Sequence, residues 1–359
     1  MKIDTEGHKF KEGAIQEGLV RWKSPSNIAL VKYWGKYGEQ LPKNPSISFT
    51  LDAAHTITEI DYRPKADDGK LEINFFFEGK PNEAFGQKIE HFLKKHVALF
   101  PWVTQLQMTI KSKNSFPHSS GIASSASGMS ALVMCLSDIE SKHNGEEISL
   151  AKASYISRLA SGSASRSVFP ELAVWGSHNA IEGSSNLYAT TYSKEVNPMF
   201  TQFHDDIMII SAKEKSVSST AGHALMNGNI YAENRYMQAN QNLMDIIRSM
   251  KEGDLEKFGE IVESEALTLH ALMMCSTPSY ILLEPHTISV INEIRQYRSE
   301  SKLPLYFTLD AGPNIHLLYP DDIADQISPF IEEVLQPYCV GGKIIKDKVG
   351  QGPQNLINE

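Results

Sequence analysis

Read for the spacing of its apolar residues, the chain divides into a mixed first half and a more regular second half. Residues 71–77 and 106–110 carry apolar side chains at alternate positions, the period of a half-buried strand. Between them Phe85, Ile89, Phe92, Leu93 and Val97 recur at helical spacing. A longer helix is predicted from Ser124, with Ala126, Met129, Leu132, Val133, Leu136 and Ile139 on one stripe. In the second half residues 207–210 form a short apolar strand. Two helical faces follow, one made by Leu243, Ile246, Ile247 and Met250, the other by Leu255, Phe258, Ile261 and Val262. A helix over 288–297 then precedes a strand at 305–309, a turn at 310–314 and a second strand at 315–319. A helix over 323–335 and a strand over 343–349 complete the series.

Apart from the extra helices, the order in the second half is β-α-β-β-α-β, the split βαβ or ferredoxin-like arrangement. The class is therefore α+β. Pro198 and the polar residues around it interrupt the pattern near 192–202, which sets the expected domains at 1–197 and 198–359. The length of 359 residues agrees with two domains at about 150 residues each.

Charge changes the picture in one respect. With 34 Lys and Arg against 43 Asp and Glu, the formal net charge is −9, which argues against a nucleic-acid partner bound through its phosphate backbone. A local basic pocket remains compatible with that balance. The longest apolar run, 131–136, is far too short to cross a bilayer, and residues 1–20 mix charges with glycines instead of forming a secretory signal. Cys135, Cys275 and Cys339 make no CxxC pair. No membrane partner and a reducing, cytoplasmic setting are the expectations.

Five segments hold candidate chemistry. Residues 117–126, PHSSGIASSA, run into the strongest helix of the first half; small residues admit a close ligand, and a helix N-terminus favours an anion such as phosphate. No GxxxxGK[ST] or GxGxxG occurs, and a Ser-rich capped turn explains the stretch equally well. In SGSASRS, residues 161–167, Arg166 offers a planar fork for a carboxylate or phosphate, with a surface ion pair as the plainer reading. Within residues 27–36, Lys32 stands at the end of an apolar strand-like run, beside Tyr33 and Trp34, with Lys36 just beyond them. It is either partly desolvated in a cleft or a snorkelling lysine on an edge strand. In DAGPN, residues 310–314, a turn accounts for Gly312, Pro313 and Asn314 but not for an acid at the end of a hydrophobic run. Asp310 is thus a candidate base, with Lys32 or Arg166 as its compensating cation. KSVSST, residues 215–220, supplies hydroxyls that suit phosphate or a helix cap.

Taken in order, SPSNIALVKYWGK, LPKNPSISFTLD, NSFPHSSGIASSASG, SRLASGSASRS, KSVSST, FTLDAGPN and VGQGPQ resemble the GHMP small-molecule kinase superfamily and, within it, the diphosphomevalonate decarboxylase family. The likeness runs from about Ser24 to Pro353; KYWGK, SGSASRS and DAGPN are its decarboxylase-specific part. It implies a GHMP kinase fold: an N-terminal domain like domain 2 of ribosomal protein S5, a ferredoxin-like C-terminal domain, and the active site in the cleft between them. It also implies ATP and Mg²⁺ as cofactors and a homodimer. The implied reaction converts mevalonate 5-diphosphate to isopentenyl diphosphate. By the same resemblance Asp310, Lys32 and Arg166 are catalytic, and Tyr33, Lys36, Ser161, Ser163 and Ser219 bind substrate. Asn114, Ser115, Ser120, Gly121, Ala123, Ser124, Ser125 and Ser127 bind the nucleotide, and no metal ligand is assigned.

The chain departs from the family pattern in a short loop at 37–40, at Pro45 and Ser165, and at His223, where methionine is common. A phosphomevalonate decarboxylase or a mevalonate kinase-like enzyme is the nearest alternative. More remote are a serine hydrolase using His118 or His178 with Asp310, although no GxSxG elbow occurs, and a non-catalytic nucleotide binder.

Overall fold

The computed structural model describes residues 6–11, 13–117, 122, 124–213 and 216–357. The first half is built on two long strands, β1 (Gly18–Val31) and β4 (Ser46–Pro64), paired antiparallel along most of their length. A small hairpin, β2 (Lys36–Tyr37) and β3 (Leu41–Pro42), fills the connection between them. Next come β5 (Glu72–Phe77), the short β6 (Lys80–Pro81), helix α1 (Glu83–Lys95) and β7 (Leu106–Asn114). The strands β5 and β7 are parallel, so β5–α1–β7 is a crossover unit laid on the sheet. Helix α1 starts where the Asn82 side chain accepts from the Phe85 N–H, and it buries Ile89, Phe92 and Leu93.

Helices α2 (Ser124–Asn144) and α3 (Leu150–Ala160) pack next to one another, and α2 covers β1 and β4. The strands β8 (Leu172–Trp175) and β9 (Ala189–Thr191) extend the sheet from the first part of β4. Much of the buried sheet face is polar. Ser24, Ser46, Ser48 and Thr50 are fully buried, as are Thr56 and Thr58 to within 2%. Thr56 and Ser127 share a hydrogen bond of 2.7 Å, and Ser24 and Ser130 one of 2.6 Å.

Two single helical turns, Ser193–Glu195 and Pro198–Thr201, lead into the second half. There β10 (His204–Met208) is followed by α4 (Ser219–Ala224), α5 (Ala232–Glu252), α6 (Leu255–Met274) and α7 (Pro285–Ser301). Then come β11 (Tyr306–Thr308), β12 (Ile315–Tyr319), α8 (Ala324–Phe330) and β13 (Ile344–Ile345). The antiparallel sheet has the order β11-β12-β10-β13. That is the ferredoxin-like order, with the central pair formed by the first and third strands of the motif, and the mixed α+β fold expected from the sequence is the one found.

Details differ where local patterns are weak. Helix α7 begins at a capping box of Glu284 and Thr287 and runs to Ser301, beyond the expected 288–297 at both ends. The expected helix 323–335 keeps α-geometry only to Phe330. Pro329 lies inside it, and Ile331–Leu335 forms a wider turn. The strand expected over 343–349 shrinks to two residues, because the chain leaves the second sheet there to bond with the first half.

Asp347 marks that crossing. Its carboxylate accepts from the N–H groups of Asp52 (2.9 Å), Ala53 (2.7 Å) and Ala54 (2.7 Å), and the last strand, β14 (Gln354–Asn355), pairs with β1.

Candidate active site

One cavity of about 660 Å³ lies where the end of β1, the start of α2, the turn Gly162–Ser165, α4, α6 and the turn after β11 converge. Lys32, Arg166 and Asp310 all line it, together with Tyr33, Lys36, Ser161, Ser163 and Ser219. Three residues separated by more than a hundred positions in the chain thus meet around one space.

Lys32 directly follows the last ladder residue of β1 and is 2% exposed. Its Nζ lies 3.4 Å from Asp310 Oδ1. Burial lowers the ammonium's pKa, while the charges of Asp310, Glu265 and Asp205 oppose that fall. Asp310 stands on a braced turn. The Gly312 N–H donates to its carbonyl at 2.8 Å, and His270 Nε2 lies 3.0 Å from the same oxygen. The Asn314 side chain bonds the backbone of Ser211 in both directions, at 3.0 and 3.2 Å, tying the turn to the segment after β10.

Arg166 follows the turn Gly162–Ser165 and is also 2% exposed, but its protein partners are neutral. Nη1 donates to Ser46 Oγ at 2.6 Å, and Nε and Nη2 donate to Asn27 Oδ1 at 3.3 and 3.2 Å. The rings of Tyr33 and Trp175 lie 5.7 and 5.9 Å from the guanidinium. Burial brings its pKa down to about 10, which the charge of Asp310 partly offsets. A fixed, desolvated cation with neutral supports is a site for an anion.

Tyr33 packs edge-on against Trp175 and lies 4.6 Å from the His223 ring; burial pushes its phenol up. Lys36 bonds Gln40 across the β2–β3 hairpin at 2.7 Å, and burial lowers it to about 8. Ser161 bridges toward Ser125 at 3.4 Å, and Ser219 opens α4.

Of the expected nucleotide residues, Asn114, Ser124 and Ser125 line the cavity. Ser115 and Ser127 are not among the lining residues. Ser115 bonds the backbone of Ala53 and His55, and Ser127 bonds Thr56. Ser120, Gly121 and Ala123 lie outside the described residues, as does His118. His178 receives the Ala180 N–H and does not line the cavity.

Beyond Asn114 the cavity continues into an apolar lobe of Phe75, Phe77, Phe85, Ile89, Phe92 and Met129, with Lys88 Nζ 5.1 Å from the Phe85 ring. The sequence reading missed this lobe. Its signal was the alternation of Phe75 and Phe77 and the helical spacing of Phe85, Ile89 and Phe92, which a core would produce equally. Asn27 and Ser46 were missed for another reason: nothing local marks a polar strand residue as the partner of an arginine about 120 positions away.

This combination of a layered first half, a ferredoxin-like second half and a cleft holding a lysine, an arginine and an aspartate defines a GHMP-type small-molecule enzyme. Residues 24–187 match the model of the diphosphomevalonate decarboxylase-like N-terminal domain, and residues 206–355 match that of the mevalonate 5-diphosphate decarboxylase C-terminal domain. The chain belongs to the diphosphomevalonate decarboxylase family. It is similar to the diphosphomevalonate decarboxylase of Debaryomyces hansenii, with 27% identity covering 94% of this chain and 95% of that protein. The phosphomevalonate decarboxylase of Haloferax volcanii is 26% identical, covering 85% and 89%. Among solved structures, a complex of MDDEF with MVAPP, AMPPCP and magnesium superposes with a TM-score of 0.80 at 27% identity, covering 94% of this chain and 99% of that one.

Proposed function

We propose that the protein converts mevalonate 5-diphosphate to isopentenyl diphosphate with consumption of ATP, in the mevalonate route to isoprenoids. The observation that carries the reading is the meeting of Lys32, Asp310 and Arg166 in one cavity, with Lys32 and Asp310 3.4 Å apart. Asp310 accepts the proton of the substrate's tertiary 3-hydroxyl as that oxygen takes the terminal phosphoryl group. Lys32 pairs with the aspartate at 3.4 Å and faces the transferring phosphoryl. Phosphorylation converts a poor leaving group into a good one. Once phosphate leaves, positive charge develops at C3, and the C1–C2 bond breaks, releasing C1 as carbon dioxide while its electron pair forms the C2–C3 double bond. Arg166 aligns that carboxylate, and such alignment is worth roughly 7–11 kcal/mol in the best intramolecular cases. Lys36, Tyr33, Ser161, Ser163 and Ser219 hold the substrate's diphosphate.

The donor set suits a nucleotide. Hydroxyls of Ser124 and Ser125 at the start of the 21-residue α2 face the cavity, as the phosphates require, and the phenylalanine lobe takes the base. Magnesium carried with the nucleotide neutralises phosphate charge. Among the described residues no helix is long and apolar enough to cross a membrane. A cytoplasmic homodimer is part of the same reading.

Release of ADP and carbon dioxide is to be assayed separately with mevalonate, its 5-phosphate and its 5-diphosphate. Both products are expected from the diphosphate. Turnover of the monophosphate alone makes this a phosphomevalonate decarboxylase, ADP without carbon dioxide makes it a kinase, and ester hydrolysis without ATP removes the reading altogether.

A further inference from the structure

Lys32 and Asp310 belong to different halves of the molecule, and the lysine begins where β1 has lost its ladder partner. The last register pair of β1 is Val31 with Ile47, so the buried Lys32 backbone must find its hydrogen bonds elsewhere. The first half supplies one, from Asn44 Nδ2 to the Lys32 carbonyl at 3.0 Å, and the second half supplies the other two. Glu265 Oε2, on α6, accepts from the Lys32 N–H at 2.8 Å. Arg235 Nη2, on α5, donates to the Lys32 carbonyl at 2.8 Å. The two side chains are a two-point ion pair, 2.7 and 2.5 Å, and Asn242 adds a bond to Glu265 Oε1 at 2.6 Å. Glu265 is fully buried and Arg235 is 3% exposed. Five residues further along α6, His270 Nε2 lies 3.0 Å from the Asp310 carbonyl. Burial lowers His270 to about 4, so the ring is neutral near pH 7 and donates its Nε2 proton to that oxygen.

We infer that α6 registers the reacting pair: Glu265, with Arg235 as its counter-ion, and His270 are positioning residues that grip the main chain at Lys32 and Asp310 and so set the distance between their side chains. None of the three touches the proposed substrate. The inference rests on the roles of Lys32 and Asp310 given above. A purely structural ion pair has no reason to bond both backbone groups of one cavity residue, and α6 has no packing need for a polar donor under the Asp310 turn.

The test exploits a known asymmetry of buried ion pairs. Replacing both partners by apolar residues of similar size is often neutral or stabilising, whereas removing one is costly. The double variant Glu265→Leu with Arg235→Met keeps the core filled but removes the second half's hold on the Lys32 backbone, leaving only Asn44 on its carbonyl. It is expected to stay folded with a lowered melting temperature, because the Lys32 N–H and the Asn242 amide lose their partner. Its KM for ATP is expected to hold while kcat falls about 10- to 100-fold, as a displacement near 1 Å produces. His270→Leu is expected to lower kcat with KM for ATP unchanged, and His270→Gln, which restores an N–H donor, to recover most of it. These histidine variants keep the inference falsifiable if the double variant does not fold. Wild-type kcat in a folded double variant, or in His270→Leu, overturns it. Lys32→Met is assayed alongside: its inactivity beside an active double variant overturns the clamp alone, whereas activity in both overturns the role of Lys32.

Discussion

The two sides of the cavity hold their cations in opposite ways. On one, Lys32 is already matched by a carboxylate, and both its backbone and its partner depend on helices of the second half. On the other, Arg166 is held by groups of the first half, an amide, a hydroxyl and two rings, with no carboxylate among the described residues in its hydrogen-bond shell. Burying an unmatched charge is costly unless it is hydrogen-bonded, and Asn27 and Ser46 give each of its three nitrogens a partner while leaving further N–H groups for a ligand. The lesson is a division of labour. The charge of Lys32 is compensated by the protein, while that of Arg166 is left free for the substrate carboxylate of the proposed reaction.

Breaking the Lys32 side has the largest expected effect. Asp310→Asn keeps the turn and the nucleotide wall but removes the base. Turnover should fall about 10²- to 10⁴-fold with nucleotide affinity preserved, measured by steady-state kinetics and nucleotide titration. Next, Arg166→Lys retains a charge and loses the fork that Asn27 and Ser46 organise. A fall of about 100-fold in kcat/KM for the substrate is expected, with KM for ATP little changed; unaltered kinetics would show that the carboxylate is held elsewhere. Smaller still, Ser46→Ala leaves Nη1 of Arg166 without its closest partner. Loss of a hydrogen bond to a charged group predicts about a tenfold drop in kcat/KM, and Ser46→Thr should restore most of it.

The mildest probe is pH. Lys36 titrates at about 8 because burial disfavours its ammonium form. The ammonium is present below that value and is lost as pH rises through it. The wild-type kcat/KM for an anionic substrate should therefore decline above pH 8, while Lys36→Arg holds its profile flat through the same range.

Much of this contrast was hidden in the sequence for physical reasons. The second half was legible because its strands are apolar on both faces. Met208, Phe307, Ile315 and Leu317 pack toward one set of helices, and Ile207 and Leu318 toward the other side. The 19-residue β4 was missed because its apolar alternation of Ile47, Phe49 and Leu51 is short and is interleaved with equally buried Ser46, Ser48 and Thr50. Thr56 and Thr58 then carry the buried face, with no apolar residue until Ile60. Lys32, Arg166 and Asp310 were recognisable from their motifs. Arg235, Glu265 and His270 were not, because each sits in an ordinary amphipathic helix and bonds a backbone group more than 35 positions away.

The return of the chain at its C-terminal end restricts how the cleft can breathe. Asp347 grips three successive amides of the first half, and Gln354 and Asn355 are stitched to β1, so the halves are fastened at a second point well beyond the 193–201 connection. A clam-like swing about a single hinge has to unfasten that latch first. Any opening that leaves this latch intact is confined to small elements at the rim, among them the Lys36–Pro42 hairpin and α4.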